Sequence, residues 1–199
     1  MNRVDYKKLV WLSALVAIIT VLVFVNVQNI VIGLNINTFG MVGTIAGINW
    51  FLWEIFKKWL WKLPIFRGWL VMIPNLNGNW EGTLQSTWVD EKTGKIIDPI
   101  DTKAVIKQDL TTITIDFTTN EMESRSIIAE ISCDPHRRVA EINYTYQSDP
   151  DATVIHRSPI HYGSAKLVYG KTPKTETLKG DYWTGRKTTG AIVLKRTKK

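Results

Sequence analysis

A segment near the carboxyl end combines aromatic, hydroxyl and cationic side chains at strand spacing: Gly180-Asp-Tyr-Trp-Thr-Gly-Arg-Lys-Thr-Thr-Gly190. Because side chains alternate across a strand, Leu178, Tyr182 and Thr184 share one face, which Leu178 marks as the interior. Arg186 continues that face, and an arginine at the mouth of an apolar interior is costly unless it meets an anion. One interpretation is an anion site in which Thr184 donates a hydrogen bond to a phosphate. The other is that Tyr182 fills the interior and Arg186 lies in a solvated hairpin.

Four further side chains could complete such a site. Tyr144 and Tyr146 share one face of their own strand, and tyrosine rings can stack on nucleobases. Arg157 and His161 lie in residues 152–199, which carry 11 basic and 2 acidic residues and hence a net charge of +9. Residues 74–151 carry 7 basic and 14 acidic residues, a net charge of −7. The basic charge is therefore not a uniform coat, and we expect no direct binding of DNA or RNA.

The sequence lacks a recognisable catalytic or metal-binding arrangement, so we expect neither an enzyme nor a cofactor. Cys133 and His136 are three apart, as a thiol nucleophile and a base could be, but Cys133 continues an apolar face, which favours a buried, inert thiol. His156 and His161 do not have metal-ligand spacing. The paired acids Glu121 and Glu123 are explained by a solvated turn.

The composition is that of an ordinary folded protein, but its residues are segregated. The 199 residues are 45% hydrophobic and 22% charged, and the single cysteine excludes a disulfide scaffold. Between Lys8 and Glu54 lie 45 residues without a charged side chain. This region predicts two transmembrane helices, at about residues 9–27 and 39–56. Gly43 and Gly47 form a GxxxG pattern in the second helix, where Asn49 is expected to make an interhelical hydrogen bond.

The flanking charges predict the topology. Basic residues precede the first span and follow the second, so the positive-inside rule places both termini in the cytoplasm. Tryptophans cluster at the exit, and residues 59–73 are expected to lie along the membrane interface. A cleaved signal peptide is disfavoured because the apolar segment is too long and no cleavage site follows it.

The alternation of apolar and polar residues in residues 74–199 predicts eight short antiparallel strands separated by turn residues. Alternation places Ile113, Ile115 and Phe117 on one face of one strand, and Ile127, Ala129 and Ile131 on one face of the next. This number of strands favours a small eight-stranded barrel with room for one small ligand, and a β-sandwich is the alternative.

The whole arrangement resembles one family. Two amino-terminal spans precede a domain that opens with Leu76-Asn-Gly-Asn-Trp80-Glu-Gly82 and closes with Gly180-x-Tyr-Trp-Thr184-x-Arg186-x-x-x-Gly190. It is similar to the two-transmembrane, β-strand-rich effectors of bacterial CBASS anti-phage systems, the CD-NTase-associated effector proteins.

The resemblance implies a function. A CD-NTase enzyme would make a cyclic nucleotide on infection, and the barrel would bind this second messenger, a cyclic dinucleotide. The protein would then self-associate and disrupt the inner membrane, which kills the infected cell. Tyr182, Thr184 and Arg186 match the closing motif and are therefore the first expected ligand contacts.

Three alternatives remain open from the sequence. A membrane-anchored lipocalin-like module would bind an apolar ligand and would not depend on Arg186. A structural interaction barrel would be filled with side chains. A membrane-bound enzyme would need a catalytic arrangement that the sequence does not show.

Overall fold

The structure is a computed structural model that describes residues 3–28, 36–89, 93–134 and 139–197. The chain divides into two compact units, one formed by Val4–Met72 and the other by Ile73–Lys199 together with Met1–Arg3.

The first unit contains two α-helices, α1 (Tyr6–Gln28) and α2 (Ile36–Lys58), followed by two 3₁₀ turns at Leu60–Lys62 and Pro64–Phe66. Among the described residues, one segment is long and apolar enough to cross a membrane, Tyr6–Val23 in α1. The second predicted span coincides with α2, and its crossing of the membrane stays a prediction.

Asn49 makes a hydrogen bond within its own helix. Its side-chain amide donates one N–H to the carbonyl oxygen of Ile45, one turn earlier in α2, at 2.9 Å. An asparagine amide has a second N–H and an acceptor oxygen as well. The interhelical bond therefore stays a prediction.

The second unit is a closed barrel in which each of eight antiparallel strands pairs with the next and β8 pairs with β1. This confirms the barrel and excludes the sandwich. The strands are β1 (Gly78–Ser86), β2 (Ile100–Gln108), β3 (Ile113–Thr118), β4 (Met122–Asp134), β5 (Val139–Pro150), β6 (His161–Lys171), β7 (Glu176–Thr184) and β8 (Thr189–Arg196).

One half of the barrel is filled by a hydrophobic core. Its fully buried side chains come from alternate positions of the strands and from Leu76 and Leu110: Leu76, Trp80, Ile106, Leu110, Ile115, Ile131, Ile142, Leu167, Leu178 and Leu194. Trp80 donates its ring N–H to the carbonyl oxygen of Leu76 at 3.0 Å. The guanidinium of Arg196 lies over the Trp80 ring, 5.4 Å from its centroid, and pairs with Glu176. These contacts close the end of the barrel at which β1 begins and β8 ends.

A β-bulge in β4 overturns one predicted face. The register with β5 shifts between Ser126 and Ile128, so one extra residue is inserted into β4. Ala129, Ile131 and Cys133 stay on the inner face, whereas Ile127 is 57% exposed and Ile128 is 71% exposed. The predicted alignment of Ile127 with Ala129 is therefore wrong, because strict alternation does not hold across a bulge.

Candidate functional site: a cavity at one end of the barrel

The half of the barrel opposite the hydrophobic core encloses a cavity of about 780 Å³. Its wall is formed by the inner faces of the strands and by four connections. These are the β1–β2 connection, which contributes Trp88 and Ile97, the β3–β4 turn (119–121), the β5–β6 connection (151–160) and the β7–β8 turn (185–188). The volume lies within the range of small-ligand pockets, about 300–1,000 Å³. We call these four connections the mouth of the barrel.

The cavity exists because large and small side chains alternate around the inner face. Tyr144 pairs with Ala129 on one neighbouring strand and with Ala165 on the other. Tyr182 pairs with Ala165 and with Gly190 in the same way. Each tyrosine thus lies between residues with almost no side chain, so this layer does not fill the barrel.

Two buried tyrosines offer unpaired hydroxyl groups to the cavity. Tyr144 is 5% exposed and Tyr146 is 8% exposed, and neither hydroxyl has a hydrogen-bond partner among the described residues. Burial raises the pKa of Tyr144 well above its ordinary value, with a smaller contribution from Tyr146. Burial, and secondarily the neighbouring Tyr182, raises the pKa of Tyr146 to about 12. Both phenols therefore stay protonated at neutral pH and can donate a hydrogen bond.

Aromatic packing holds these rings in place. The ring of Tyr144 stacks on that of Phe117 with centroids 6.1 Å apart and planes at 10°. The ring centroids of Tyr144 and Tyr146 are 5.7 Å apart. Such pairs contribute about 0.5–1.5 kcal/mol beyond the burial of area. The result is a fixed aromatic wall on the β3 and β5 side of the cavity.

Serine hydroxyls add polar surface to the wall of the cavity. Ser86 and Ser148 are buried cavity residues, and the Ser148 hydroxyl is hydrogen-bonded to that of Ser124. A hydroxyl can both donate and accept. These serines therefore offer uncharged hydrogen-bonding groups near the mouth, where Ser86 pairs with Gly190 and Ser148 with His161.

The charged groups of the site are at the mouth, on two arginines with different partners. Arg157 forms an ion pair with Glu121 at 2.6 Å, and both side chains are more than half exposed. Arg186 donates a hydrogen bond of 2.6 Å to the hydroxyl of Ser158 and has no acidic partner within the described part of the chain. Arg186 therefore carries an unneutralised positive charge, whereas the charge of Arg157 is opposed by a carboxylate.

The pKa of His161 lies below its ordinary value, which favours the neutral imidazole. Burial lowers its pKa, the Arg186 cation lowers it further, and a hydrogen bond to the carbonyl of Pro159 opposes these effects in part. That bond joins Nδ1 to the Pro159 oxygen at 2.9 Å. A carbonyl only accepts, so Nδ1 carries the proton and Nε2 of the neutral ring is an acceptor.

Thr184 has less freedom than the sequence predicts. Its hydroxyl is 2.6 Å from that of Thr188 and also accepts a bond of 3.3 Å from the backbone N–H of Arg186. These bonds shape the β7–β8 turn. A phosphate would have to compete with Thr188 for the Thr184 hydroxyl.

The structure brings all the predicted site residues to this one cavity: Tyr144, Tyr146, Arg157, His161, Tyr182, Thr184 and Arg186. Their roles toward a ligand stay predictions. Sequence reasoning missed Glu121, Ser148 and Ser158, which also line the cavity. The sequence pattern places Glu121 in a solvated turn. The one signal it offers for this residue is that the turn directly precedes a strand of alternating residues.

Cys133 is the buried thiol that its position on an apolar face predicts. It is 7% exposed, and burial, with a smaller effect of Asp134, raises its pKa. A raised pKa lowers the thiolate fraction and hence the nucleophilicity. His136 lies outside the described residues. Within those residues, no cluster of three or more His, Cys, Asp or Glu could hold a metal ion.

Comparison with known proteins assigns the chain to a family. Residues 71–196 match the family model described as Cap15, cyclic dinucleotide receptor domain. The match covers the whole barrel and more than half of the chain. The chain belongs to the Cap15 cyclic dinucleotide receptor domain family.

A curated relative agrees with this assignment. The chain is 29% identical over 151 residues to CD-NTase-associated protein 15 of Staphylococcus schleiferi, a match that covers 76% of each protein. The resemblance to CBASS effectors is thereby confirmed. Membership of the Cap15 family supports a receptor for a cyclic dinucleotide, since the family is described by that ligand.

Proposed function

We propose that the cavity described above binds the cyclic dinucleotide and that binding switches a membrane-disrupting effector. The observation that carries the proposal is a ligand-sized cavity lined by two tyrosine hydroxyls and, at its mouth, by an arginine, none of which has an acidic partner among the described residues. The two hydroxyls face the cavity and are not occupied by a protein acceptor in the described part of the chain. They can therefore donate to a ligand that accepts hydrogen bonds.

Aromatic and hydroxyl groups lie inside the barrel and cationic groups lie at its mouth, and this arrangement orients the ligand. The interior offers the aromatic rings and hydroxyls of Tyr144, Tyr146 and Tyr182, which suit the faces and polar edges of nucleobases. The cations lie at the mouth on Arg157 and Arg186. We therefore infer that bases enter the barrel while the phosphates stay at the mouth.

The two arginines have unequal roles in this proposal. Arg186 gives up only a neutral hydroxyl partner, Ser158, when it turns to a phosphate. Arg157 must separate from Glu121, whose carboxylate also repels a phosphate. Arg186 is thus the principal phosphate contact, and Arg157 contributes less.

His161 can assist if it takes up a proton. In the neutral ring, whose Nδ1 donates to the Pro159 carbonyl, Nε2 has no hydrogen to donate. A phosphate nearby would favour the imidazolium and raise the pKa of His161. Ligand binding would then be coupled to proton uptake.

The output of the switch is membrane disruption by associated protomers, with both termini and the barrel in the cytoplasm of a two-pass inner-membrane protein. Support comes from the apolar surface of α1 and from the glycines of α2. An added Cβ on Gly43 or Gly47 would meet no neighbouring atom, so this face of α2 is unoccupied in the single chain. Small residues let helix backbones approach closely, so the face suits packing against a second copy.

Calorimetry on the full chain in detergent tests the binding step. Cyclic di-AMP, cyclic di-GMP and cyclic GMP–AMP would be titrated separately, with the corresponding linear dinucleotides as ligand controls. We expect one cyclic ligand to bind tightly and R186A to weaken it. R125A is the matched control, because Arg125 pairs with Glu123 and does not line the cavity. No binding of any member by a folded barrel would contradict the proposal.

Dye release from phosphatidylethanolamine–phosphatidylglycerol vesicles tests the output. Full chain inserted into these vesicles should release a trapped dye when the bound ligand is added. R186A should require more ligand, and R125A should behave like the wild type. Release that is independent of ligand would contradict a switch.

A further inference from the structure

Two inward-facing tyrosines lie directly opposite glycines on neighbouring strands. Tyr146 of β5 pairs with Gly163 of β6, and Tyr182 of β7 pairs with Gly190 of β8. We propose that Gly163 and Gly190 are positioning residues that let these rings lie against the barrel wall and thereby keep the cavity open for a ligand with flat rings. The inference rests on the proposed function for its ligand, but not for the geometry of the rings.

The space that a side chain on Gly163 would need is already occupied by Tyr146. A Cβ built on Gly163 would lie closer than 3.0 Å to both Cζ and Oη of the Tyr146 ring. It would also lie 2.9 Å from the carbonyl oxygen of Trp183. The tip of the tyrosine therefore rests in the position of the missing side chain.

Gly190 has the same relation to Tyr182. Its Cβ would lie 2.6 Å from Cε1 and 2.8 Å from Cζ of the Tyr182 ring, and it would also collide with the backbone oxygen of Gln85. By contrast, added Cβ atoms on Gly82 and Gly180 meet only backbone atoms. Those two glycines serve the close approach of strands, whereas Gly163 and Gly190 also make room for rings.

Backbone conformation does not explain the two glycines. Among the described glycines, positive φ angles occur at Gly68, Gly78 and Gly94 but not at Gly163 or Gly190. Glycine inside a strand costs conformational entropy and provides no side chain to pack. Two reasons remain, the close approach of neighbouring backbone and the space taken by the rings. For Gly163 the nearest atoms are those of the Tyr146 ring, so there the ring is the tighter constraint.

A displaced ring has one direction in which to move. Behind Gly163 is the barrel wall, and in front of it is the cavity that Tyr146 lines. A methyl group on Gly163 would therefore push the tyrosine tip toward the barrel axis. The displaced ring would take up volume that a nucleobase needs.

The first test follows the ring itself, without any ligand. Full-length protein labelled with 3-fluorotyrosine in detergent gives fluorine resonances that single Tyr→Phe variants assign. G163A should shift the Tyr146 resonance. G170A is the matched control: it is the same change in the same strand, and the contact of its Cβ is with the side-chain oxygen of Thr177, outside the cavity and away from the tyrosine rings. An unmoved Tyr146 resonance in G163A would overturn the inference, even in a protein that binds every ligand normally.

The second test measures binding of the cyclic dinucleotide that the wild type binds most tightly. Overpacking of this kind should weaken binding by about tenfold or more in G163A, and G170A should bind as the wild type does. In a Y146L background, which lacks the two colliding ring atoms, G163A should cause no further loss. A loss that persists in that background would refute a role through Tyr146. Absence of binding by the wild type would instead refute the proposed function and leave the fluorine result to decide this inference.

Discussion

The unequal partners of the two mouth arginines give a sharp prediction about ligand affinity. Arg186 donates to the neutral hydroxyl of Ser158, whereas Arg157 is paired with Glu121 at 2.6 Å. Replacing Arg186 by alanine removes a hydrogen bond between a cation and a phosphate. Little free energy is recovered in exchange, because the bond that Arg186 breaks on binding is to a neutral hydroxyl. Such bonds contribute about 1.5–3 kcal/mol, and the exposed mouth favours the lower end, a loss of about 10- to 30-fold in affinity.

The same replacement at Arg157 should cost much less. An exposed ion pair contributes about 0–1 kcal/mol, and the ligand must break this one before it gains the guanidinium. R157A should therefore weaken binding by less than about fivefold. E121Q removes the competing carboxylate and frees Arg157, so it should tighten binding by about two- to fivefold at low salt.

Calorimetry on the full chain measures all three variants, at two salt concentrations. R125A controls for a general change in charge, because Arg125 has an acidic partner of its own, Glu123. The order of loss, R186A greater than R157A, and the opposite sign of E121Q are the decisive results. If R157A lost more affinity than R186A, or if E121Q weakened binding, the assignment of partners at the mouth would be refuted.

Three further outcomes are expected. Burial lowers the pKa of His161 in the free protein, and a bound phosphate would raise it. Affinity should therefore rise as the pH falls toward the pKa of His161 in the free protein. Calorimetry in buffers of different ionisation enthalpy should detect the accompanying proton uptake. Y144F and Y146F should each weaken binding by about three- to tenfold without lowering the melting temperature, because these hydroxyls have no protein partner to lose. G43L combined with G47L should abolish ligand-dependent toxicity in cells while calorimetric binding stays unchanged.

Each of these outcomes has its own control. H161Q should bind without proton uptake, and uptake that survives the change would assign it to another group. A melting temperature that falls in Y146F would mean that the hydroxyl has a structural partner. I45L changes a residue on the side of α2 opposite the two glycines and should stay toxic. Toxicity retained by the double glycine variant would refute the packing face.

Much of the barrel follows from the sequence because its signal is local. Alternation in residues 74–199 predicted eight antiparallel strands, and it placed Tyr144, Tyr146 and Tyr182 on inner faces, which the structure confirms. The period of two fixes the side of a strand that each residue faces. The closed topology and the shared cavity follow once the inward faces of all strands meet.

The parts that could not be predicted depend on contacts between distant segments or on one inserted residue. Nothing in the sequence near Ile127 marks the bulge that turns its side chain outward. The pairs Arg157–Glu121 and Arg186–Ser158 join residues 36 and 28 positions apart. Such pairs arise only from the closure of the barrel, so a sequence pattern could identify the arginines but not their different availability.

The closed end formed around Trp80 has a kinetic consequence. With Trp80 and Leu76 fully buried there, a ligand enters and leaves through the same mouth. Association and dissociation therefore cross the same barrier. A barrier raised by the β5–β6 connection slows both rates by the same factor. S158A releases that connection from Arg186 and also removes the partner that Arg186 gives up on binding. Capture of the messenger should therefore become faster by a larger factor than the residence time becomes shorter. In such a receptor the height of the barrier at the mouth sets the response time, whereas the contacts of the bound ligand, including that of Arg186, set the threshold concentration.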